Sequence, residues 1–82
     1  MDAYSEAVKR FYSVYMPLKR KYNLRSHEHD SIYNDALIEI WEYDGDTKKK
    51  RVLKIEESNG TDCYNRATDW LKLYEEQKRK GA

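Results

Sequence analysis

The stretch that most constrains the fold is ALIEIWEYDGDTKKKRVLKIE, residues 36–56, because it combines two strand-like segments with a turn signal. The segments 36–43 and 50–56 are rich in Ile, Val, Trp and Tyr, which are enriched in strands. Asp44 and Gly45 between them are typical of a hairpin turn. The sequence therefore predicts an antiparallel β-hairpin, although the apolar residues of the first segment also fit helical spacing.

The pairing register follows from placing apolar side chains opposite one another. If residues 44–47 form a four-residue loop, Tyr43 lies opposite Lys48 and Ile38 lies opposite Leu53. A shift of one residue would reverse the faces of a strand, so this register is favoured over that of a two-residue loop.

Both faces of the predicted hairpin carry apolar side chains. One face holds Ala36, Ile38, Ile40, Leu53 and Ile55, and the other holds Leu37, Trp41, Tyr43 and Val52. A hairpin by itself is at best marginally stable, so other elements must cover it. Two helices could cover one face each, or both could lie on the isoleucine face and leave Trp41 open to a partner.

The segment before the hairpin has the spacing of an amphipathic helix. From Tyr4 to Tyr22 the large apolar residues recur at intervals of three and four, which predicts a helix with one apolar stripe. Pro17 predicts either a kink or a helix that ends near Tyr15, with a short second turn after it.

The segment after the hairpin, residues 62–80, is also predicted to be a helix. Its apolar stripe includes Cys63, Trp70 and Leu71, and Thr61 is the predicted N-cap. Arg and Lys side chains at residues 78–80 suit the negative end of the helix dipole.

Residues 23–35 are polar, with turn-forming residues at both ends, and are predicted to be mostly loop. One helical turn or a short strand at residues 31–33 is the alternative. The predicted fold is therefore a single α+β domain over residues 1–82, in the order α-β-β-α. In it an antiparallel hairpin, with or without a third short strand, packs against two helices.

Composition indicates a folded domain without disulfides. The 82 residues include one cysteine, eight Tyr, two Trp and one Phe, whereas disordered chains are usually poor in aromatic residues. The opening MDAYSEAVKR lacks the apolar core of a signal peptide, and no apolar run is long enough to span a membrane. A cytoplasmic protein is expected.

Metal and catalytic motifs do not emerge from the sequence. A calcium loop starting at Asp44 would place Lys48 and Ile55 where oxygen ligands are needed. A second candidate is a dense cluster that lacks the spaced ligand pairs of a zinc site, namely His27, Glu28, His29 and Asp30. Without a GxSxG, an HExxH or a glycine-rich phosphate loop, a non-enzymatic protein with no cofactor and no metal is predicted.

Exposed aromatic rings among charged residues are typical of a protein-binding site. The first hypothesis is therefore a small interaction protein that binds a larger protein and inhibits or regulates it, as many phage and mobile-element effectors do. Its predicted partner-binding residues are Trp41, Tyr43, Lys48, Lys50, Val52 and Lys54.

The alternative hypothesis is a nucleic-acid-binding regulator, since lysines interleaved with aromatic rings are typical of single-strand binding surfaces. Its candidate residues are Lys19, Arg20, Lys21, Arg25, Lys49 and Arg51. Nearby carboxylates and a net charge of only +1 weaken it. A homodimer formed through the same hairpin is a further alternative.

Overall fold

Three antiparallel strands and two helices make up the computed structural model, which describes residues 2–29 and 35–81. The elements are α1 (Ala3–Tyr22), β1 (Leu24–His29), β2 (Ala36–Asp44), β3 (Thr47–Glu57) and α2 (Gly60–Lys80), and the sheet has the order β1-β2-β3. The α+β class, the two helices and the antiparallel hairpin are confirmed. The alternative structures suggested for residues 31–33 lie outside the described residues. In the part of the chain that the structure describes, neither helix has the length and apolarity needed to cross a membrane.

The first helix, α1, continues through Pro17, so of the two alternatives for this residue the one in which the helix ends near Tyr15 is wrong. Proline removes one backbone donor, and the carbonyl that loses it belongs to Ser13, an exposed residue that water can reach. At the start of the helix, the side chain of Asp2 accepts a hydrogen bond from the backbone N–H of Ser5 at 2.7 Å, as an N-cap does.

Asn23 ends α1 and fastens it to the hairpin. Its backbone adopts the left-handed conformation, with φ of 54°, which asparagine tolerates better than most residues. Its side-chain amide donates to the carbonyl of Tyr43 at 3.0 Å, and its own carbonyl accepts from the backbone N–H of Tyr43 at 3.0 Å. The end of the helix is therefore fixed against the tip of the sheet.

The second helix, α2, begins earlier than predicted. Its N-cap is Asn59 rather than Thr61, because the Asn59 side chain accepts from the backbone N–H of Asp62 at 2.9 Å. Cys63 is fully buried, as expected of a small apolar residue, but Trp70 is 50% exposed although it was assigned to the buried stripe.

The strand β1 lies in the N-terminal half of residues 23–35, which were predicted to be mostly loop. Its residues alternate between buried or half-buried and exposed positions, and the backbone pairs with β2 from Leu24 to His29. Glu28 points toward the helices, where it accepts hydrogen bonds from the hydroxyls of Tyr12 at 2.6 Å and Tyr64 at 2.7 Å. These partners allow a strand with few apolar residues to pack.

The hairpin register agrees with the prediction at the tip and differs in the body. Tyr43 pairs with Lys48 as predicted, but the predicted four-residue loop is wrong. Asp44 pairs with Thr47, so the turn has two residues, Gly45 and Asp46. Gly45 has φ of 62°. Two irregularities then shift the pairing, so Ile38 lies opposite Ile55 rather than Leu53. Each shift is of one residue, so together they restore the same apolar face, since side chains alternate with a period of two.

Both helices pack on the isoleucine face of the sheet. The buried apolar core comprises Ala7, Phe11, Tyr15, Leu18, Leu24, Ala36, Ile38, Ile40, Leu53, Ile55, Cys63, Tyr64, Ala67 and Leu71. Phe11 is at its centre, with its ring centroid 5.3 Å from those of both Tyr15 and Tyr64. Of the two arrangements consistent with the sequence, the structure therefore has the one in which both described helices lie on the isoleucine face and neither covers Trp41.

Candidate functional site on the open face of the sheet

The open face is the surface of the sheet opposite to the helices, and no described helix covers it. Its residues come from alternate positions of β1 and β2 and from the residues of β3 that lie opposite them across the two register shifts. They are Arg25, His27, His29, Leu37, Glu39, Trp41, Tyr43, Lys48, Arg51, Lys54 and Glu56. The face therefore combines two aromatic rings in the central strand with four cationic side chains and two carboxylates.

Trp41 lies near the middle of the open face and is only half-buried. The ammonium of Lys48 is 4.6 Å from its ring centroid, close enough for a cation–π interaction. Its indole N–H donates to a carboxylate oxygen of Glu39 at 2.8 Å. The ring is thus held in one orientation from its face and from its polar edge.

Tyr43, which follows Trp41 by two residues in β2 and lies closer to the turn, is also held by a cation. The guanidinium carbon of Arg25 is 4.3 Å from the Tyr43 ring centroid. The same guanidinium forms an ion pair with Asp46 in the turn at 2.7 Å. Arg25 therefore connects β1 to the tip of the hairpin across the ring of Tyr43.

Glu39 is the carboxylate around which the cations of the face are arranged. The hydrogen bond from the indole of Trp41 lowers the pKa of Glu39, and the charges of Arg51 and Lys48 lower it further. A guanidinium nitrogen of Arg51 lies 3.7 Å from a carboxylate oxygen of Glu39. An ionised Glu39 therefore neutralises part of the positive charge of the face.

The predicted partner-binding residues do not all share this face. Trp41, Lys48 and Lys54 lie on it, together with Tyr43, but Lys50 does not. The expectation that Lys50 and Val52 share a face with Trp41 is wrong, because it assumed a regular ladder.

The two shifts account for where these residues lie. Between the shifts, Lys50 pairs with Glu42 on the helix side. Val52 has no pairing partner and packs against the core. Arg51 lies opposite Trp41, where the predicted register of Tyr43 opposite Lys48 would place Lys50.

The residues considered for nucleic-acid binding are likewise divided between surfaces. Arg25 and Arg51 belong to the open face, whereas Lys19, Arg20 and Lys21 are exposed in the last turn of α1, in the helix layer. Lys49 is exposed and unpaired at one of the two shifts. The structure therefore does not bring these six cations into one patch.

His27 and His29 are exposed neighbours on the open face, which the loop prediction for this region had missed. LRSHEH has a single apolar residue, Leu24, so the alternation of apolar and polar residues that indicates a strand is absent from it. Cys63 lies on the other side of the sheet, with its thiol directed at the carbonyl of Ile55. Within residues 2–29 and 35–81, no three His, Cys, Asp or Glu side chains are grouped so as to hold a metal ion.

A groove of about 740 Å³ runs between the two helices and is lined on one side by Ser13, Val14 and Pro17 of α1. The facing residues of α2 are three cations and two carboxylates, namely Lys72, Arg79, Lys80, Glu75 and Glu76. Arg79 and Lys80 form ion pairs with Glu75 and Glu76 in the same helix. None of the residues that line this groove is aromatic. The groove therefore lacks the exposed rings that Trp41 and Tyr43 give the open face.

Comparison of the chain with protein-family models, with curated proteins and with solved structures finds no match.

Proposed function

We propose that this protein is a non-enzymatic interaction protein that binds a larger protein through the open face of its sheet and thereby inhibits or regulates it. A phage or mobile-element effector is the kind of protein that would act in this way. The observation that carries the proposal is the placement of both helices on one face, with Trp41 and Tyr43 on the other.

The aromatic pair supports this proposal through its exposure and its fixed geometry. Trp and Tyr are enriched among residues that dominate binding energy at protein interfaces. Lys48 and Arg25 already hold the two rings in place, so little side-chain entropy would be lost on binding.

The charges of the open face favour a protein partner over a phosphate backbone. Glu39 is surrounded by Arg51 and Lys48 and would repel phosphate groups. Cations that lie around an aromatic centre contribute more to association rate and specificity than to affinity. Such a face suits a partner that presents an apolar anchor with acidic residues around it.

Nucleic-acid binding is the second candidate, and one observation favours it: Lys48 lies over Trp41 and Arg25 lies over Tyr43. Interleaved rings and cations of this kind can stack bases and contact phosphates. Affinity that falls steeply as salt is raised would support this candidate. Absence of binding to DNA and RNA at low salt would remove it.

Affinity capture from the native host tests the proposal when nuclease-treated and untreated lysates are compared. We expect the tagged protein to capture a protein partner in both lysates and the Trp41→Ala variant to lose it. Tyr4→Ala is the matched control, because Tyr4 is an aromatic residue that is 41% exposed in α1. Retention of the partner by a folded Trp41→Ala variant would contradict the proposal.

A further inference from the structure

A second surface with a defined chemistry lies at the outer edge of β3. In the order β1-β2-β3, this strand has a neighbour on one side only among the described residues. Such an edge presents backbone N–H and C=O groups that another strand can pair with. From Leu53 to Glu57 the pairing with β2 is regular, so this part of the edge has the geometry of a normal strand.

Beside this edge, α2 exposes apolar side chains that the core does not use. Trp70 is 50% exposed and Leu73 is 48% exposed. With Arg66 they follow one another at spacings of four and three, which places them in one stripe of the helix. A groove of about 400 Å³ separates Trp70 from the residues of β3 around Val52.

The two sides of the β3 edge differ in chemistry. On the helix side, Val52 and Trp70 give the groove an apolar wall. On the open side, Arg51 and Lys54 project from the strand. A strand alongside β3 would therefore have the apolar wall of the groove on one side. On its other side it would have Arg51 and Lys54, with Glu56 beyond them.

We infer that the edge of β3 binds an extended acidic segment of a partner protein in which acidic and apolar residues alternate. Its backbone would pair with β3, its apolar side chains would lie against Trp70, and its carboxylates would face Arg51 and Lys54. This site differs from the aromatic pair on the open face and does not depend on the function proposed for that face.

Charge argues for an acidic segment rather than a second copy of this chain. The stretch from Lys48 to Lys54 carries five cations and no carboxylate, and a second β3 would bring the same charges to the edge. Glu56 and Glu57 follow, but Lys54 and Arg66 already pair with them. Surface pairs of this kind are weak, so carboxylates of an added strand can compete for these cations.

A synthetic peptide tests this inference directly. The probe is a seven-residue peptide of alternating glutamate and valine with blocked ends, titrated into ¹⁵N-labelled protein and followed by amide and indole NMR signals. We expect saturable shifts at residues 51–55 and at the Trp70 indole, with the Trp41 indole unchanged. A peptide in which lysine replaces glutamate should leave all of these signals in place.

Two further controls separate backbone pairing from attraction by charge alone. N-methylation of the probe at every second residue removes the donors of one strand edge, and one of the two such peptides should lose binding. Trp70→Ala and Lys54→Glu should each weaken the probe severalfold, whereas Lys72→Glu, which reverses an exposed cation of α2 outside this groove, should not.

Three results would overturn the inference. The first is the absence of saturable shifts, and the second is shifts centred on Trp41 instead of Trp70. The third is shifts at the β3 edge that appear on raising protein concentration without peptide, which would assign the edge to a second copy of the chain. None of these results measures the capture of a partner from the host, so the proposed function is tested separately by the capture experiment with Trp41→Ala.

Discussion

Glu42 is a buried carboxylate whose replacement should reveal how the end of α2 is fixed to the sheet. Its side chain is 8% exposed on the helix side of β2, where it accepts a hydrogen bond from the hydroxyl of Tyr74 and lies 3.1 Å from the ammonium of Lys78. Lys50 pairs with it across the hairpin. Glu42→Gln keeps an acceptor for Tyr74 and removes the charge that both lysines face.

The expected cost of Glu42→Gln follows from the bonds that it weakens. Hydrogen bonds to charged groups contribute about 1.5–3 kcal/mol, and the amide retains part of this, so we expect a loss of about 1–2 kcal/mol in the free energy of unfolding. For a domain of this size, that corresponds to a fall in Tm of about 4–16 °C. The assay is thermal and urea unfolding at pH 7, followed by circular dichroism.

The pH dependence gives the same prediction a second test. Burial would raise the pKa of Glu42, but the hydrogen bonds from Tyr74 and Lys78 outweigh it, and the pKa lies below its ordinary value of 4.5. The folded protein therefore binds this proton less readily than the unfolded chain does. Its contribution is complete above pH 4.5 and is lost as the pH falls through the lower pKa of the folded state.

The difference between the wild type and Glu42→Gln should accordingly shrink as the pH is lowered from 7 to about 3. Glu56→Gln is the matched control, because this carboxylate lies in the same hairpin, is 57% exposed and is 3.5 Å from Lys54. It should change stability by less than about 1 kcal/mol. A Glu42→Gln variant as stable as the wild type at pH 7, or a difference that persists unchanged in acid, would refute the reasoning.

Further substitutions test other parts of the fold by the same unfolding assay. Phe11→Ala should cost about 3–5 kcal/mol, because Phe11 is fully buried among aromatic rings; a loss below 1 kcal/mol would contradict that position. Asn59→Ala should cost about 1 kcal/mol through loss of the N-cap of α2, whereas Thr61→Ala should cost less. Gly45→Ala should lower the free energy of unfolding by about 1–2 kcal/mol, because Gly45 has φ of 62°. Nothing lies within 4 Å of an added Cβ, so this loss comes from the backbone conformation alone. An unchanged stability would contradict the positive φ of Gly45.

The periodic parts of the fold could be predicted from the sequence, because periodicity is a local signal. The spacing of apolar residues by three and four predicts the helix α1. The strand-forming residues on either side of Asp44-Gly45 predict the hairpin. The strand β1 could not be predicted in this way, since only Leu24 in it is both apolar and buried. It pairs through its backbone, and its inward-pointing Glu28 depends on hydroxyls from two helices that are distant in sequence.

Only part of the candidate site could be predicted from the sequence, because the rest depends on contacts between residues that are distant in the chain. The exposure of Trp41 depends on the face of the sheet on which the two helices pack, and the local sequence around Trp41 does not determine that face. The pairing of β3 is irregular at two points, and Leu53 and Ile55 lie in the core. The two shifts place Lys50 on the helix side and Arg51 on the open face, which a regular ladder does not predict.

Hydroxyl-radical footprinting tests the central claim, that the open face is the contact surface, most directly because it reports the accessibility of individual side chains. In the isolated protein, Trp41 and Tyr43 should react as half-buried residues do, while Phe11 should be protected. In the complex with a captured partner, Trp41 and Tyr43 should become protected, while Tyr4 in α1 stays reactive. Unchanged reactivity of Trp41 and Tyr43 in the complex, with protection on the helix layer instead, would contradict the account.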